Sequence, residues 1–169
     1  MTGPETPIAP RRTPFVAAVG LVVATALGLS GCGGSATADD LDTSRTEVVA
    51  AAQDLLPGIV EALGGEIEDA YGEFRSGGDG VVDRRQYDVT VIVTGADGDI
   101  DDLVAALEAA GVSDVRASPM GGASGTHDGL TVGGSDPGGR DMGLGVTGPY
   151  LHVADGVPRD TGREQIALG

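Results

Sequence analysis

The first pattern along the chain is an apolar run near the amino terminus, where residues 15–29 are apolar apart from Thr25 and two glycines. A helix that crosses a bilayer needs about 20 such residues, so a permanent transmembrane anchor is the weaker interpretation. Arg11 and Arg12 precede the run, which is the layout of a cleaved signal peptide. The pair leaves general secretion and twin-arginine export open, although Pro14 stands where the twin-arginine motif prefers an apolar residue.

Apolar residues next recur at helical spacing, which predicts an amphipathic helix. Its apolar face consists of Val48, Ala52, Leu55, Ile59 and Leu63. Ser44 and Glu47 form an S-x-x-E capping box at its start, and Gly64 with Gly65 ends it. Pro57 lies inside the pattern and predicts a kink or a second segment, because proline lacks the amide donor and clashes with the preceding turn.

A two-residue alternation follows and predicts a β-hairpin. Residues 66–75 form its first strand and the SGGDG segment at 76–80 forms its turn. In the second strand apolar and polar residues alternate: Tyr87, Asp88, Val89, Thr90, Val91, Val93 and Thr94. Helical spacing then returns, with Asp99 as the N-cap and Gly111 after the last turn. The apolar face of this second helix is Ile100, Leu103, Val104, Leu107 and Ala110.

The remaining pattern is weaker. It predicts strands at 112–117, 130–132 and 144–153, the last broken by Gly148 and Pro149. Between residues 121 and 148 the chain has 11 glycines, a density that predicts long hairpin loops because glycine loses much backbone entropy on ordering.

Taken together, these elements predict an α+β fold with two amphipathic helices packed on one face of a mostly antiparallel sheet. The order helix, strand, strand, helix, strand, strand is compatible with a duplicated αββ unit, although the two halves share little sequence.

Composition adds a strong charge asymmetry. The chain has 10 basic residues, all of them arginine, against 26 acidic ones, so its net charge is −16. Nucleic-acid binding needs a basic patch, so we expect no nucleic-acid partner. Only five residues are aromatic, so the core must consist mainly of aliphatic side chains.

The apolar run ends in the tetrad LSGC, formed by Leu29, Ser30, Gly31 and Cys32. It resembles the lipobox of bacterial lipoproteins, in which a leucine and two small residues precede a cysteine. The resemblance implies attachment of diacylglycerol to the Cys32 thiol and cleavage between Gly31 and Cys32. A thiolate suits this chemistry because it is the nucleophilic form of cysteine. The chain has no other cysteine, so no disulfide partner competes for this thiol.

The absence of Lys and Asn, together with abundant Ala, Gly, Asp and Val, indicates a GC-rich genome. In layout the chain resembles the small uncharacterised lipoproteins of actinobacteria. This resemblance implies an extracytoplasmic protein held by acyl chains, such as palmitate, on the outer face of the cytoplasmic membrane. It implies no activity.

Three segments follow from this interpretation: a signal peptide at 1–31, the lipidated cysteine with a flexible tether at 32–42, and a single α+β domain at 43–169. Cleavage leaves 138 residues, one domain's length, with a net charge of −17 because the removed peptide is positive by one. Anionic phospholipid would repel such a domain at short range. We therefore expect it to extend outward on its tether.

Calcium is the first ligand that spacing suggests. Asp97, Asp99, Asp101 and Glu108 match positions 1, 3, 5 and 12 of an EF-hand loop. Position 6, however, is Asp102 rather than glycine, and the predicted helix that begins at residue 100 would be incompatible with the loop. Acidic residues also favour a first helical turn without any metal. We expect none to bind.

Two catalytic or cofactor motifs are equally weak. Gly143, Gly145 and Gly148 spell G-x-G-x-x-G, but Pro149 and a strand-like segment follow where dinucleotide binding needs a helix. Ser124, His127 and Asp128 have the residue types of a hydrolase triad, yet the G-x-S-x-G elbow is missing. A polar turn is the simpler interpretation.

Zinc is poorly supported, because His127 and His152 are the only histidines and are not at ligand-pair spacing. The aromatic residues Tyr71, Phe74, Tyr87 and Tyr150 lie on predicted strands and are expected in the core. We therefore expect no cofactor, no metal site and no catalytic residue. The favoured hypothesis is a non-enzymatic lipoprotein of the cell envelope that binds an unknown partner or has a structural role. The alternative is an envelope-associated hydrolase that uses acidic residues.

Overall fold

The computed structural model of the protein describes residues 35–77, 84–135, 142–153 and 162–169. They belong to one structural unit that spans 34–169. The predicted signal peptide, the LSGC tetrad with Cys32, and the centre of the turn expected at 76–80 lie outside the described residues.

Helix α1 spans Ala38–Ala62 and begins six residues earlier than predicted. Its N-cap is Thr37, whose hydroxyl accepts a hydrogen bond from the Asp40 amide at 3.3 Å, while the Asp40 carboxylate accepts one from the Thr37 amide at 2.7 Å. This T-x-x-D capping box offers the same chemistry as the S-x-x-E sequence expected at Ser44, which instead lies buried within the helix. Residues 38–42, expected in the tether, are therefore helical.

Proline does not divide α1, which continues through Pro57 as one helix. An interior proline costs about 3 kcal/mol, but each fully buried aliphatic side chain contributes about 1.5–3 kcal/mol. Leu56, Ile59 and Val60 flank the proline and are buried against the sheet, so packing outweighs the lost hydrogen bond. The helix ends before Gly64, whose φ of +67° suits glycine, as the sequence predicted.

Eight strands and a second helix make up the rest of the described structure. The strands are β1 (Glu66–Ser76), β2 (Arg84–Thr94), β3 (Ser113–Ala117), β4 (Ala123–His127), β5 (Leu130–Gly134), β6 (Met142–Thr147), β7 (Leu151–His152) and β8 (Glu164–Gln165). Helix α2, Ile100–Ala109, lies between β2 and β3. Asp99 is its N-cap, as predicted, and forms a capping box with Asp102.

The strands form one open sheet in the order β3-β4-β5-β6-β2-β1-β8, and β7 pairs with the start of β2. All of these pairs are antiparallel, and an isolated parallel bridge joins Ala36 to Val153. The α+β class and the mostly antiparallel sheet are confirmed. The finer idea of a duplicated αββ unit is not.

One core joins both helices to one face of the sheet. The odd-numbered residues of β2 face it, and their partners on β6 do the same, since strand residues alternate between faces. Fully buried members include Leu56, Leu103, Val91, Leu144 and Val132. The second face of the sheet carries neither helix.

The glycine-rich segment between residues 121 and 148 is the main difference from the sequence-based expectation. Its described residues are mostly the three strands β4, β5 and β6 rather than long loops, and β4 was not predicted at all. These glycines allow close approach. A Cβ added at Gly133 would lie 2.6 Å from the Ala123 carbonyl oxygen, and one at Gly145 would lie 2.8 Å from the Val89 carbonyl oxygen.

Candidate functional site

The sheet face opposite the helices is the candidate binding surface, and we call it the open face. It consists of the even-numbered residues of β2 and their cross-strand partners on β1 and β6, continued across β5 and β4. Its character changes across the sheet. Charged and aromatic side chains cover β1 and the start of β2, whereas glycine, serine and threonine cover β4, β5 and β6.

A shallow trough of about 250 Å³ lies on the small-residue half of the open face. It is lined by Ser118, Gly121, Gly122, Ala123, Ser124, Thr131, Gly133, Gly134, Gly145 and Thr147. Gly133 and Gly145 are directly paired across β5 and β6, so backbone forms the floor. The hydroxyls of Ser124, Thr131 and Thr147 can donate or accept hydrogen bonds at its walls.

An ionic network covers the other half of the open face. Arg75 donates to Asp88 across 2.9 Å and lies 3.2 Å from a Glu73 carboxylate oxygen. Arg163 donates to the second Glu73 oxygen at 3.3 Å, and its guanidinium lies 4.3 Å from the centre of the Tyr71 ring. Two carboxylates and two guanidinium groups therefore balance one another.

Asp88 is the buried member of this network, with 9% of its side chain exposed. Burial raises the pKa of its carboxyl, and the charge of Glu73 adds to this effect, while Thr147 and Arg75 act in the opposite direction. Its Oδ1 atom has no hydrogen-bond partner among the described residues. Asp88 pairs across the sheet with Thr147, which lines the trough, so the network and the trough meet there.

A second polar cluster lies on the helix side and joins α1, β2 and β8. Arg45 donates two hydrogen bonds to the Glu164 carboxylate, at 2.5 and 2.6 Å, and the Tyr87 hydroxyl donates to the same carboxylate. These donors hold the pKa of Glu164 below its usual value. Burial raises the pKa of Tyr87, and the Glu164 carboxylate raises that of Arg45.

Gly72 makes this cluster possible, because a Cβ there would lie 2.0 Å from the Tyr87 hydroxyl oxygen. The strand β8 pairs with β1 at Gly72 and Tyr71. Neighbouring residues of the β8 segment therefore bind opposite faces of the sheet. Arg163 binds the ionic network on the open face, and Glu164 binds Arg45 and Tyr87 on the helix side. This arrangement attaches the C-terminal segment to the sheet.

The residues of the suspected triad do not assemble. Ser124 points to the open face, whereas His127 has the opposite parity on β4, and its Nδ1 atom lies 3.2 Å from the Gly111 carbonyl oxygen. Asp128 forms the β4–β5 turn with φ +49°, and its carboxylate is 3.7 Å from His127 Nε2. The interpretation as a polar turn agrees with this geometry.

The suspected calcium and dinucleotide motifs have structural roles. Asp99 caps α2, so its carboxylate is occupied by the amides of Asp101 and Asp102. Gly143 and Gly145 lie within β6, and none of the described residues after Gly148 is helical. Within the described part of the chain, no group of three His, Cys, Asp or Glu side chains is placed to hold a metal ion.

The aromatic predictions hold in part. Tyr87 is fully buried and Phe74 packs against it edge to face, with ring centroids 4.7 Å apart. The prediction that Tyr150 lies in the core is wrong, since this residue lies just before β7 and is 49% exposed. Tyr71 is half-buried beneath Arg163.

No protein-family model matches the chain, and no curated protein or solved structure matches it either. Of the two described helices, neither is at once long and apolar enough to cross a membrane.

Proposed function

We propose that the protein is a lipid-anchored lipoprotein of the cell envelope, attached through Cys32 to the outer face of the cytoplasmic membrane. The observation that carries this proposal is the LSGC tetrad directly after an apolar run that is preceded by arginines. Two acyl chains give lasting attachment, whereas a single chain binds only marginally. The anchoring partner is therefore the membrane itself.

Metabolic labelling with a clickable fatty acid tests the anchor. The wild-type protein should be labelled and should fractionate with membranes, and Cys32→Ala should lose both properties. Ser35→Ala, three residues further along, is the matched control and should be labelled like the wild type. Labelling that persists in Cys32→Ala would place the lipid elsewhere and contradict the proposal.

Within that role, we propose that the α+β domain is a non-enzymatic binding or structural module and that the trough on the open face contacts its partner. What supports a binding role is the row of hydroxyls at the trough, from Ser124, Thr131 and Thr147, which can donate hydrogen bonds to a polar ligand or accept them from it. The carboxylates beside it are already engaged by Arg75 and Arg163.

Crosslinking on intact cells, followed by mass spectrometry, tests the binding surface. Thr131→Arg fills the trough from an exposed position on β5, so crosslinks made through this surface should disappear. Thr46→Arg makes the same change at an exposed position of α1, on the opposite side of the sheet, and should leave them intact. Equal crosslinking by both variants would exclude the trough.

The alternative is a hydrolase with Asp88 and Glu73 as acid and base. One observation favours it, because the two residues are direct cross-strand partners and burial raises the pKa of Asp88. Purified protein incubated with chromogenic glycosides provides the test. We expect no turnover. Activity that disappears in both Asp88→Asn and Glu73→Gln would favour the hydrolase.

A duplicated αββ origin stays a proposal. It is supported by the repeated order of a capped helix followed by an antiparallel strand pair, α1 with β1 and β2, then α2 with β3 and β4. The second half differs by the further pair β5 and β6, which joins the two halves through the contact of β6 with β2.

A further inference from the structure

The chain enters the fold much closer to Cys32 than the sequence indicated. The amide of Ala36 donates a hydrogen bond to the His152 carbonyl oxygen, and Ala36 forms a parallel bridge with Val153. Thr37 then caps α1. The fold therefore holds the chain four residues after Cys32, whereas the expected tether extended to Asp42.

This short connection limits how far the domain can stand from its lipid. Four residues span at most about 14 Å even when fully extended. Helix α1 has 25 residues and is about 37 Å long, at 1.5 Å per residue. Because the connection is much shorter than the helix, the domain cannot turn its opposite end towards the membrane.

Among the described residues, the end that receives the chain exposes one arginine and one tyrosine. We call it the anchor end and define it by Thr37, Arg84, Tyr150 and His152. Arg84 pairs with His152 across β2 and β7, is exposed, and forms no ion pair among the described residues. Tyr150 is the most exposed of the three tyrosines, and tyrosine favours the headgroup region of bilayers.

We propose that the anchor end rests on the anionic headgroups of the membrane that holds Cys32, with the strands running along the membrane normal. This inference rests on the proposed lipidation. Arg84 supplies the attraction to anionic headgroups. Asp39 and Asp40 in the first turn of α1 oppose it, although the Asp40 carboxylate is engaged by Thr37. The short covalent connection fixes which end is near the membrane.

Two other orientations would place a side of the domain on the membrane. The helix side exposes Glu47, Asp54 and Glu61 along α1, and anionic lipid would repel it. The open face has a balanced ionic network and no exposed aromatic platform over the trough. In the end-on orientation the trough faces sideways, where a partner in the envelope can reach it.

Fluorescence energy transfer from single labels to headgroup acceptors tests the orientation. Lipidated full-length protein is reconstituted in vesicles of phosphatidylglycerol and phosphatidylethanolamine. The Cys32 sulfur is then a thioether, so maleimide labels only an introduced cysteine. Tyr150→Cys lies at the anchor end, and Asp97→Cys lies beyond the far end of β2. The label at 150 should transfer efficiently and the label at 97 weakly, since β2 alone is about 35 Å long.

Two further labels identify the side-on orientations. Thr131→Cys reports the open face and Glu47→Cys the helix side, and both residues are exposed. Transfer at either position that equals transfer at 150 would overturn the end-on proposal. Inserting twelve Gly and Ser residues between Gly34 and Ser35 should reduce the difference between 150 and 97 severalfold, because the long connection no longer restricts the domain.

Acylation is scored separately by fatty-acid labelling and vesicle flotation. If the protein is acylated but energy transfer is equal from the labels at 150 and 97, the proposed function stands and the end-on orientation is contradicted. A protein that is not acylated at Cys32 loses both.

Discussion

The β1–β2 hairpin and the strands β4, β5 and β6 belong to one sheet but are stabilised in different ways. On the hairpin, large side chains occupy both faces, with Phe74 against Tyr87 on one and Arg75 against Asp88 on the other. On β4, β5 and β6, glycines bring backbone close to backbone, and the large side chains face only the helices. The difference explains why the trough lies where it does.

Side chains on both faces stabilise the β1–β2 hairpin, whereas β4, β5 and β6 leave their open face accessible. Edge-to-face aromatic pairs contribute about 0.5–1.5 kcal/mol beyond their buried area, and they fill space on the hairpin. The glycine strands gain little from the open face and depend on their helix-facing residues, such as Val132 and Leu144, beneath α2 and α1. The strands that form the open trough are therefore stabilised by their contacts with the helices on the other face of the sheet.

The largest test of this contrast is Gly133→Ala. Its new Cβ would lie 2.6 Å from the Ala123 carbonyl oxygen and 2.6 Å from the Ser124 Cβ, so backbone must move. We expect a loss of about 2 kcal/mol in the free energy of unfolding, measured by chemical denaturation.

Gly143→Ala is the matched control on the neighbouring strand. Its nearest atom, the Ser135 hydroxyl oxygen, would be 3.8 Å from the added Cβ. We expect a change within about 0.5 kcal/mol. Equal destabilisation by the two variants would show that close backbone approach does not hold these strands together.

The same glycines explain which elements the sequence could predict. Helix α2 and strand β2 have apolar residues at clear periods, and both were found. Strands β5 and β6 were predicted in part, at 130–132 and 144–153, because leucine, valine and methionine keep a two-residue period among the glycines. Strand β4, Ala123–His127, gave no such signal, because alanine, glycine and histidine occupy its alternate positions in place of large apolar residues.

The second test removes one partner of the buried carboxylate. Arg75→Met leaves the Asp88 charge without its guanidinium, so we expect a loss of about 1 kcal/mol, reduced by the half-exposed position of Arg75. Asp88→Asn should cost less, because burial already disfavours the charged form. Chemical denaturation of both variants at neutral pH gives the comparison. A larger loss in Asp88→Asn would contradict the account of the hairpin.

Neither polar cluster could be predicted from the sequence. Alternation places Glu73 and Asp88 each on a face of its strand, but their contact depends on the register of β1 against β2. The contact between Arg45 and Glu164 joins residues 119 positions apart, through a strand of only two residues. Such a short strand has no period to detect.

The third test uses pH, because the two clusters contain carboxyls shifted in opposite directions. The hydrogen bonds from Arg45 lower the pKa of Glu164. The contribution of Glu164 to the free energy of unfolding is therefore present above the usual pKa of 4.5 and is lost as pH falls through the lower pKa of the folded state. Glu164→Gln should therefore be less stable than wild type at neutral pH, by less than about 1 kcal/mol because a third of the Glu164 side chain is exposed.

The pH dependence of that difference is the measurement, by denaturation between pH ~3 and ~7. The gap between wild type and Glu164→Gln should close towards acid. The pKa of the Asp88 carboxyl is raised above 3.8, so its contribution to stability is lost as pH rises from 3.8 through the folded value. The stability of Asp88→Asn relative to the wild type should therefore increase as pH rises. A gap for Glu164→Gln that widens towards acid would contradict the assigned contacts.

The smallest expected effect is that of His127→Ala at the end of β4. The imidazole contacts the Gly111 carbonyl oxygen and lies on the opposite side of the strand from Ser124, so it has no serine to activate. We expect the free energy of unfolding to change by no more than about 0.5 kcal/mol and the crosslinking pattern of the trough to stay the same. Because the glycine strands are held from the helix side, a larger loss would mean that this single turn contact carries stability that we assign to the core. A change in crosslinking without a change in stability would instead connect the two faces of β4, which the alternation of the strand keeps apart.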